Sequence, residues 1–184
     1  DEVKVKWYDG NEEILKNISV NKTITFDYAD SKISKEQKID TLKNNGKIFF
    51  WRAAIKPGRP IAIGKIKNTY IVCLPGNPVS VQLLFAFVVK PLILKLIGST
   101  MLKITSEKIK TDFSMVKKTK RLEWLRVSKK LINNEYFISK SPKQGSGMIS
   151  SISYSDGIVE IPENINLIKK GDVFDFYDFD KLFI

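Results

Sequence analysis

The pattern of apolar and polar positions divides this 184-residue chain near residue 100. Before that point, long apolar segments between turn residues are typical of an α/β domain. After it, short alternating segments indicate strands alone, which favours a small β-barrel or a β-sandwich. We therefore expect a divergent, unassigned segment over residues 1–45, part of an α/β domain over residues 46–99 and an all-β domain over residues 100–184.

The first 45 residues have the weakest pattern. Val3–Trp7 alternates and predicts a strand, whereas Glu12–Asn17 is compatible with a helical turn. Thr23–Tyr28 is rich in residues that favour strands. Ser34–Asn44 has the composition of a helix, which Gly46 would end.

The next segment has the strongest pattern. Lys47–Ile55 predicts a strand buried on both faces, and Ile61–Ile66 and Thr69–Leu74 predict two further strands. From Pro78 to about Ile97, apolar residues cover most of a helical circumference. We therefore expect a largely buried helix with a local disturbance at Pro91.

The second half contains candidate strands separated by turn signals such as Asn133-Asn134 and Gly171-Asp172. These strands are Lys103–Thr111, Leu122–Val127, Tyr136–Lys140, Ile158–Ile161 and Val173–Tyr177. Their regular spacing is what favours a barrel or a sandwich.

Composition removes several kinds of chemistry. The sequence has no histidine and one cysteine, Cys73, which excludes histidine-dependent catalysis, multi-cysteine metal sites and an internal disulfide framework. Cys73 lies in an apolar strand pattern, and we interpret it as a structural thiol. The 31 lysines and arginines exceed the 20 aspartates and glutamates, giving a net charge of +11. That excess fits either compositional bias or anion binding; because no basic cluster is interleaved with aromatic residues, no nucleic-acid partner is predicted.

The sequence predicts a cytoplasmic protein without a membrane partner. The longest apolar run, Leu83–Val89, ends at Lys90 and Pro91 and is too short for a membrane span. No N-terminal segment combines basic residues with an apolar stretch, as a signal peptide would.

The segment Leu74–Ser80 (LPGNPVS) stands between the last predicted strand and the long helix. Asn77 suits a helix N-cap, Pro78 suits the first helical position and Gly76 permits close approach of the backbone. Free amides at such a helix start can bind phosphate or another oxyanion. The alternative is a well-capped turn without a ligand.

A second candidate site lies in Trp51–Pro60 (WRAAIKPGRP). Arg52 and Lys56 are four residues apart in a segment predicted to be extended, so both side chains should project to one face. Arg59 follows in a rigid turn. Three cations at the carboxyl end of a buried strand suit an anionic ligand; the alternative is a solvated edge. A cation within an apolar strand is costly without a partner, which favours the functional interpretation.

A third candidate is the loop Gln144-Gly145-Ser146-Gly147. Its two glycines leave the backbone bare around the Ser146 hydroxyl, which can donate to an oxygen-rich ligand. The same pattern is also common in ordinary turns.

Taken in order, these segments resemble the C-terminal part of the molybdopterin molybdenumtransferases, the family of MoeA and the gephyrin E domain. The resemblance runs from about Gly46 to the end of the sequence. The motifs that carry it are FWRAAIKPGRP (Phe50–Pro60), CLPGNPVS (Cys73–Ser80), PLILKLIG (Pro91–Gly98), RLEWLR (Arg121–Arg126), QGSGMISS (Gln144–Ser151), DGIVEIP (Asp156–Pro162) and KKGDVFDF (Lys169–Phe176).

The resemblance implies a partial molybdopterin-binding α/β domain, the end of a mixed sheet with flanking helices, followed by a small all-β barrel domain. It implies a homodimer that, with Mg²⁺, inserts molybdate into adenylylated molybdopterin and releases AMP. Contacts with the molybdopterin-adenylylating protein and with molybdoenzymes follow from the same resemblance.

By position in the motifs, the resemblance assigns catalysis to Arg52 and Lys56, with Arg52 in place of the family's usual lysine. The substrate-binding residues that it implies are Arg59, Pro75, Gly76, Asn77, Pro78, Ser80, Arg126 and Ser146. The metal ligands stay unknown, because the family's glycine-rich loop, which ends in an aspartate, is not found in residues 1–45. The alternative to an enzyme is therefore a catalytically incomplete fragment that acts as a molybdopterin-binding or dimerisation module.

Overall fold

A computed structural model describes most of the chain as strands and helices. The described residues are 2–6, 12–16, 35–100, 104–142, 144–145 and 147–183. The strands are β1 (Glu2–Lys6), β2 (Glu12–Lys16), β3 (Lys47–Trp51), β4 (Ile55–Lys56), β5 (Ala62–Ile66), β6 (Thr69–Cys73), β7 (Glu107–Thr111), β8 (Met115–Val116), β9 (Leu122–Ile132), β10 (Glu135–Lys140), β11 (Gly157–Ile161), β12 (Leu167–Ile168) and β13 (Val173–Asp178). The helices are α1 (Lys35–Asn45), α2 (Pro78–Leu84), α3 (Lys90–Leu96), α4 (Ser150–Ser153) and α5 (Phe179–Phe183). The chain divides into two compact units, one within residues 1–49 and 63–73 and the other within residues 50–62 and 74–184.

The first unit contains the β1–β2 pair, α1 and a three-stranded sheet in the order β3-β5-β6. The strand predicted at Val3–Trp7 and the helix predicted at Ser34–Asn44 are confirmed as β1 and α1. The helical turn expected at Glu12–Asn17 is wrong, because this segment pairs antiparallel with β1 as a strand. The strand expected at Thr23–Tyr28 lies outside the described residues.

Strand β3 differs from the expectation in length and burial. It ends at Trp51, and the side chains of Phe49, Phe50 and Trp51 are 48%, 40% and 37% exposed. The strand lies at the edge of the described sheet, with β5 as its neighbour on one side. An apolar run therefore marks the strand correctly, but it does not establish that both faces are covered.

In the second unit, five strands close into a barrel. The strand order is β10-β7-β13-β11-β9, and β9 pairs again with β10 to complete the ring. All neighbours are antiparallel except β7 and β10. The core is formed by side chains that point inward from the strands and their connections: Ile109, Leu125, Val127, Ile138, Val159, Ile161, Ile168, Phe174 and Phe176. The predicted strands are confirmed, and the choice between barrel and sandwich is decided for the barrel.

The long helix is continuous from Pro78 to Leu96, but it changes its winding before Pro91. Between α2 and α3, residues Phe85–Val89 form a π-helical turn, in which the Lys90 amide donates to the Phe85 carbonyl five residues back. Proline has no amide to donate and crowds the preceding turn, so the wider winding accommodates it. The disturbance expected at Pro91 is confirmed.

The burial expected for this helix is wrong. Phe85, Ile93, Leu96 and Ile97 are between 45% and 72% exposed, because only the stripe that includes Val79, Leu83 and Ala86 is buried. Since the helix continues through Pro91, it has 19 residues with a mean hydropathy of 1.9 in its most apolar window. By length and composition alone this helix could cross a membrane, although core helices of water-soluble proteins meet the same criterion of length and hydropathy.

Gly157 is required at the start of β11. A Cβ atom there would lie 2.2 Å from the Tyr177 carbonyl oxygen and 2.6 Å from the Phe176 ring of the paired strand. We expect Gly157→Ala to lower the free energy of unfolding by about 3 kcal/mol, measured by urea denaturation. Gly147→Ala is the control, because a Cβ atom at Gly147 meets no atom of the described residues within 4 Å. Equal stability of the two variants would contradict this packing.

Glu107 on β7 gives the barrel an acid-sensitive contact. Its carboxylate accepts hydrogen bonds from Lys181 Nζ at 2.6 Å and from Lys129 Nζ at 3.0 Å, and these bonds lower the pKa of Glu107 below its usual 4.5. A carboxyl whose pKa is depressed on folding contributes stability above its unfolded pKa and loses it as the pH falls through its folded pKa. We expect Glu107→Gln to remove up to about 1 kcal/mol at pH 7, the range of exposed pairs. In denaturation curves the difference from the unsubstituted protein should shrink as the pH falls below 4.5 and disappear below the lowered pKa of the folded state. A pH-independent difference would contradict it.

Candidate functional site

The loop after β3 brings β4 against the barrel. The Arg52 amide donates to the Ile61 carbonyl oxygen at 3.0 Å, and the Ala53 amide donates to the Arg59 carbonyl oxygen at 3.1 Å. These bonds close residues 52–61 into a compact loop. Strand β4 then pairs parallel with the start of β9, with Lys56 opposite Glu123.

A cavity of about 290 Å³, here called the β4–β9 cavity, opens beside this pairing. Its walls come from the 55–60 loop, the LPGNP loop (Leu74–Pro78) with the first turn of α2, the start of β9 and the segment Gln144-Gly145. Four basic residues line it: Lys56, Arg59, Arg121 and Arg126. Such a concentration of positive charge around a concave site suits an anionic ligand.

Arg126 is the most deeply placed of these cations. It is 1% exposed, and its buried Nε atom has no hydrogen-bond partner in the part of the chain that the structure describes. Nη2 donates to the Gly145 carbonyl oxygen at 3.4 Å. Burial lowers the pKa of the Arg126 guanidinium, and the nearby Glu123 carboxylate opposes that change. A buried, unpaired donor is costly, so this guanidinium is suited to a ligand that accepts hydrogen bonds and carries negative charge.

The Gln144 side chain holds the backbone of Arg126. Gln144 Oε1 accepts from the Arg126 amide at 3.0 Å, and Gln144 Nε2 donates to the Arg126 carbonyl oxygen at 2.7 Å. Nε2 also donates to the Ser141 carbonyl oxygen at 2.9 Å. The side-chain amide of Gln144 thus forms the hydrogen bonds that a neighbouring strand would otherwise form where the β9–β10 ladder ends. It fixes the segment of β9 that carries the Arg126 guanidinium.

Lys56 is paired with a buried carboxylate. Its Nζ atom lies 2.7 Å from Glu123 Oε1, and the Glu123 side chain is 6% exposed while that of Lys56 is 42% exposed. Lys117, also buried, donates to the carbonyl oxygens of Arg121 and Pro162. Lys56 and Lys117 therefore each bond to a residue at or next to the start of β9, Glu123 and Arg121 respectively.

The segment Leu74–Ser80 contributes three of its five predicted residues to the lining. Pro75, Asn77 and Ser80 face the cavity, whereas Gly76 and Pro78 are not among the lining residues. Pro78 begins α2 as predicted, and Asn77 occupies the N-cap position with an extended backbone.

Two details of this loop differ from expectation. The Asn77 side chain makes no capping hydrogen bond, and only its carbonyl accepts, from the Val81 amide at 3.0 Å. The close approach expected at Gly76 is absent, since a Cβ atom there would meet no described atom within 4 Å. The Asn77 side chain is thus left available to the cavity rather than to the helix.

Arg52 and Lys56 do not share a face. Arg52 follows the end of β3 with φ +66°, and its guanidinium carbon lies 4.3 Å from the centroid of the Trp51 ring. It is exposed and is not among the lining residues. The expectation of one extended segment is wrong because the chain turns at Arg52 to form the loop. Lys56 and Arg59 line the cavity as expected, and Ser146 lies outside the described residues.

Sequence reasoning missed Glu123 and Gln144 as parts of the site. Both stand in motifs already singled out, RLEWLR and QGSG. The available signal was a carboxylate between two apolar residues at the start of a predicted strand, which is costly to bury without a cation. No pattern in the sequence predicts that the Gln144 side chain bonds to the backbone of Arg126.

The described residues do not fit a magnesium site. Among them there is no group of three aspartate, glutamate or cysteine side chains placed to hold a metal ion. Glu123 supplies the one carboxylate of the cavity lining, and it is bonded to Lys56. Magnesium prefers several oxygen ligands in near-octahedral geometry, and the described lining does not supply them.

Comparisons with known proteins follow the same division of the chain. Residues 36–95 match the probable molybdopterin binding domain, and residues 108–179 match the MoeA C-terminal region, domain IV. A molybdopterin molybdenumtransferase from Haemophilus influenzae is 51% identical over 57 residues, 31% of this chain and 14% of that protein. A putative molybdopterin biosynthesis protein from Methanocaldococcus jannaschii is 27% identical over 176 residues, 92% of this chain and 40% of that protein.

A solved structure shows the same fold. The crystal structure of a molybdopterin biosynthesis MoeA protein from Pyrococcus horikoshii matches with a TM-score of 0.63 and 28% identity, over 78% of this chain and 35% of that chain. This chain therefore spans well under half of the length of these relatives. With two consecutive matches to the family's domains and the same fold, the chain belongs to the MoeA family of molybdenum cofactor biosynthesis proteins, as part of the molybdopterin-binding domain followed by domain IV.

Proposed function

We propose that this chain takes part in the insertion of molybdate into adenylylated molybdopterin, with release of AMP, and that the β4–β9 cavity receives the anionic groups of these substrates. The observation that carries the proposal is Arg126, whose buried Nε has no hydrogen-bond partner among the described residues, in a cavity lined by three more cations. Molybdate is a dianion and the pterin carries phosphate, and both accept hydrogen bonds from guanidinium groups.

In this proposal, Arg126 and Arg59 bind and orient the anionic groups. Lys56 is the cation bonded to the buried carboxylate of Glu123, and Asn77 and Ser80 add polar groups to the lining. The arrangement can position oxyanions and stabilise negative charge that develops during transfer. Arg52 lies apart from this lining, and we assign it no contact with the substrate.

The alternative is a catalytically incomplete module that binds molybdopterin or serves dimerisation. The observation that favours it is that the described residues hold no group of carboxylates placed to bind a metal ion. The proposal also includes a homodimer and contacts with the molybdopterin-adenylylating protein and with molybdoenzymes, which rest on the family alone. A cytoplasmic location is part of it too, and rests on the sequence pattern.

Release of AMP separates the two functions. The folded chain is incubated with adenylylated molybdopterin, molybdate and magnesium, and AMP is quantified by chromatography. AMP released in proportion to molybdate supports the enzyme. Tight binding of the pterin without AMP supports the binding module, and a folded sample that neither binds nor releases AMP contradicts both.

A further inference from the structure

Glu123 places a negative charge where the proposed ligand is also negative. Among the described residues that line the β4–β9 cavity, it carries the one carboxylate, and it is 4% exposed. A buried carboxylate next to an anion site reduces anion affinity, because little water is present to screen the repulsion. The position of the Glu123 carboxylate in the proposed anion site therefore indicates a function for it.

The carboxylate interacts with cations from three segments of the chain. Lys56 of β4 forms the direct bond at 2.7 Å. Lys117, which precedes β9, and Arg126, within β9, are both stabilised in their charged forms by the Glu123 charge. Glu123 is thus an internal counter-anion of two cations that line the cavity, Lys56 and Arg126, and of the buried Lys117.

We propose that Glu123 is an affinity-determining residue of this site: it occupies Lys56 while the cavity is empty and limits how tightly an oxyanion is held, so that the bound anion can leave. This rests on the proposed function, in which the cavity binds oxyanions. A ligand that reaches Lys56 competes with the Glu123 carboxylate, which is already bonded to it. In addition, the negative charge of Glu123 repels every anion in the cavity.

The test is molybdate binding, measured by isothermal titration calorimetry on the full chain. Glu123→Gln keeps an oxygen that can accept from Lys56 and removes only the charge, so molybdate should bind about tenfold more tightly. Glu160→Gln is the matched control. Its carboxylate accepts from Trp124 Nε1 at 2.9 Å on the same barrel, but Glu160 is not among the lining residues. Its affinity should equal that of the unsubstituted protein.

A double substitution keeps the test decisive if Glu123→Gln reduces stability. Lys56→Gln leaves the carboxylate unpaired in the cavity and should weaken binding by more than tenfold. Adding Glu123→Gln to that variant should restore affinity to within about threefold of the unsubstituted protein, since the opposing charges are removed together.

The outcomes separate this inference from the proposed function. Weaker or unchanged binding by Glu123→Gln, or a double variant no better than Lys56→Gln, overturns the counter-anion role and leaves the anion site intact. If the unsubstituted protein and all variants fail to bind molybdate, the proposed function and this inference both fall.

Discussion

Replacing Arg126 by methionine should weaken molybdate binding by between about 10-fold and about 150-fold, the range expected for losing a charge-assisted hydrogen bond. The guanidinium is 1% exposed and no described residue bonds to its Nε atom, so we expect that donor to be available to a ligand. Binding isotherms at constant ionic strength measure the effect.

The same substitution should leave the free energy of unfolding within about 1 kcal/mol, because methionine removes the cost of burying the guanidinium and the Glu123 carboxylate, whose charge acts on Arg126, keeps its bond to Lys56. With the described residues the guanidinium forms one hydrogen bond, and it is long at 3.4 Å. Arg52→Met is the control for binding, since Arg52 is exposed and outside the cavity lining. Equal losses of affinity in the two variants would contradict the assignment of Arg126.

Trp124→Ala should cause the largest loss of stability, about 3–5 kcal/mol for truncating a buried aromatic side chain. Trp124 is 5% exposed, its ring stacks on Phe87 with centroids 4.6 Å apart, and Nε1 donates to Glu160 Oε2. The ring joins the long helix to the barrel within the second unit, so its loss leaves a cavity between them. Urea denaturation followed by fluorescence measures the change.

Two further variants separate the contributions of Trp124. Trp124→Phe keeps the stacking and removes the hydrogen bond, and it should cost less than half of the loss in Trp124→Ala. Tyr154→Ala, at a position 81% exposed, should change stability by less than about 0.5 kcal/mol. A Trp124→Ala variant as stable as Tyr154→Ala would show that the stacked ring is not part of the core.

The sequence predicted the elements with strong local signals. The barrel strands follow from alternation between turns, and the Asn133-Asn134 turn has positive φ at both residues, as a tight hairpin connection requires. Pro78 at the first helical position also identified the start of α2. Each of these is decided by residues adjacent in the chain.

The details of the site depend on partners distant in the chain. Strand β4 has two residues and exists because it pairs with β9, 67 positions later. The turn at Arg52 is fixed by bonds to the backbone of Arg59 and Ile61 rather than by a local turn signal. The Gln144 bonds to Arg126 arise only after the barrel has closed. Burial was overestimated for β3 and the long helix, because apolar composition does not say which face finds a covering neighbour.

The central claim is that an oxyanion binds in the β4–β9 cavity beside Arg126, and crystals of the chain soaked in molybdate test it most directly. Diffraction above the molybdenum absorption edge locates the metal by its anomalous signal. We expect one strong peak in the cavity, with a molybdate oxygen within hydrogen-bonding distance of Arg126 Nε, and its loss in Arg126→Met crystals. An empty cavity at saturating molybdate, or a peak unaffected by Arg126→Met, would contradict the claim.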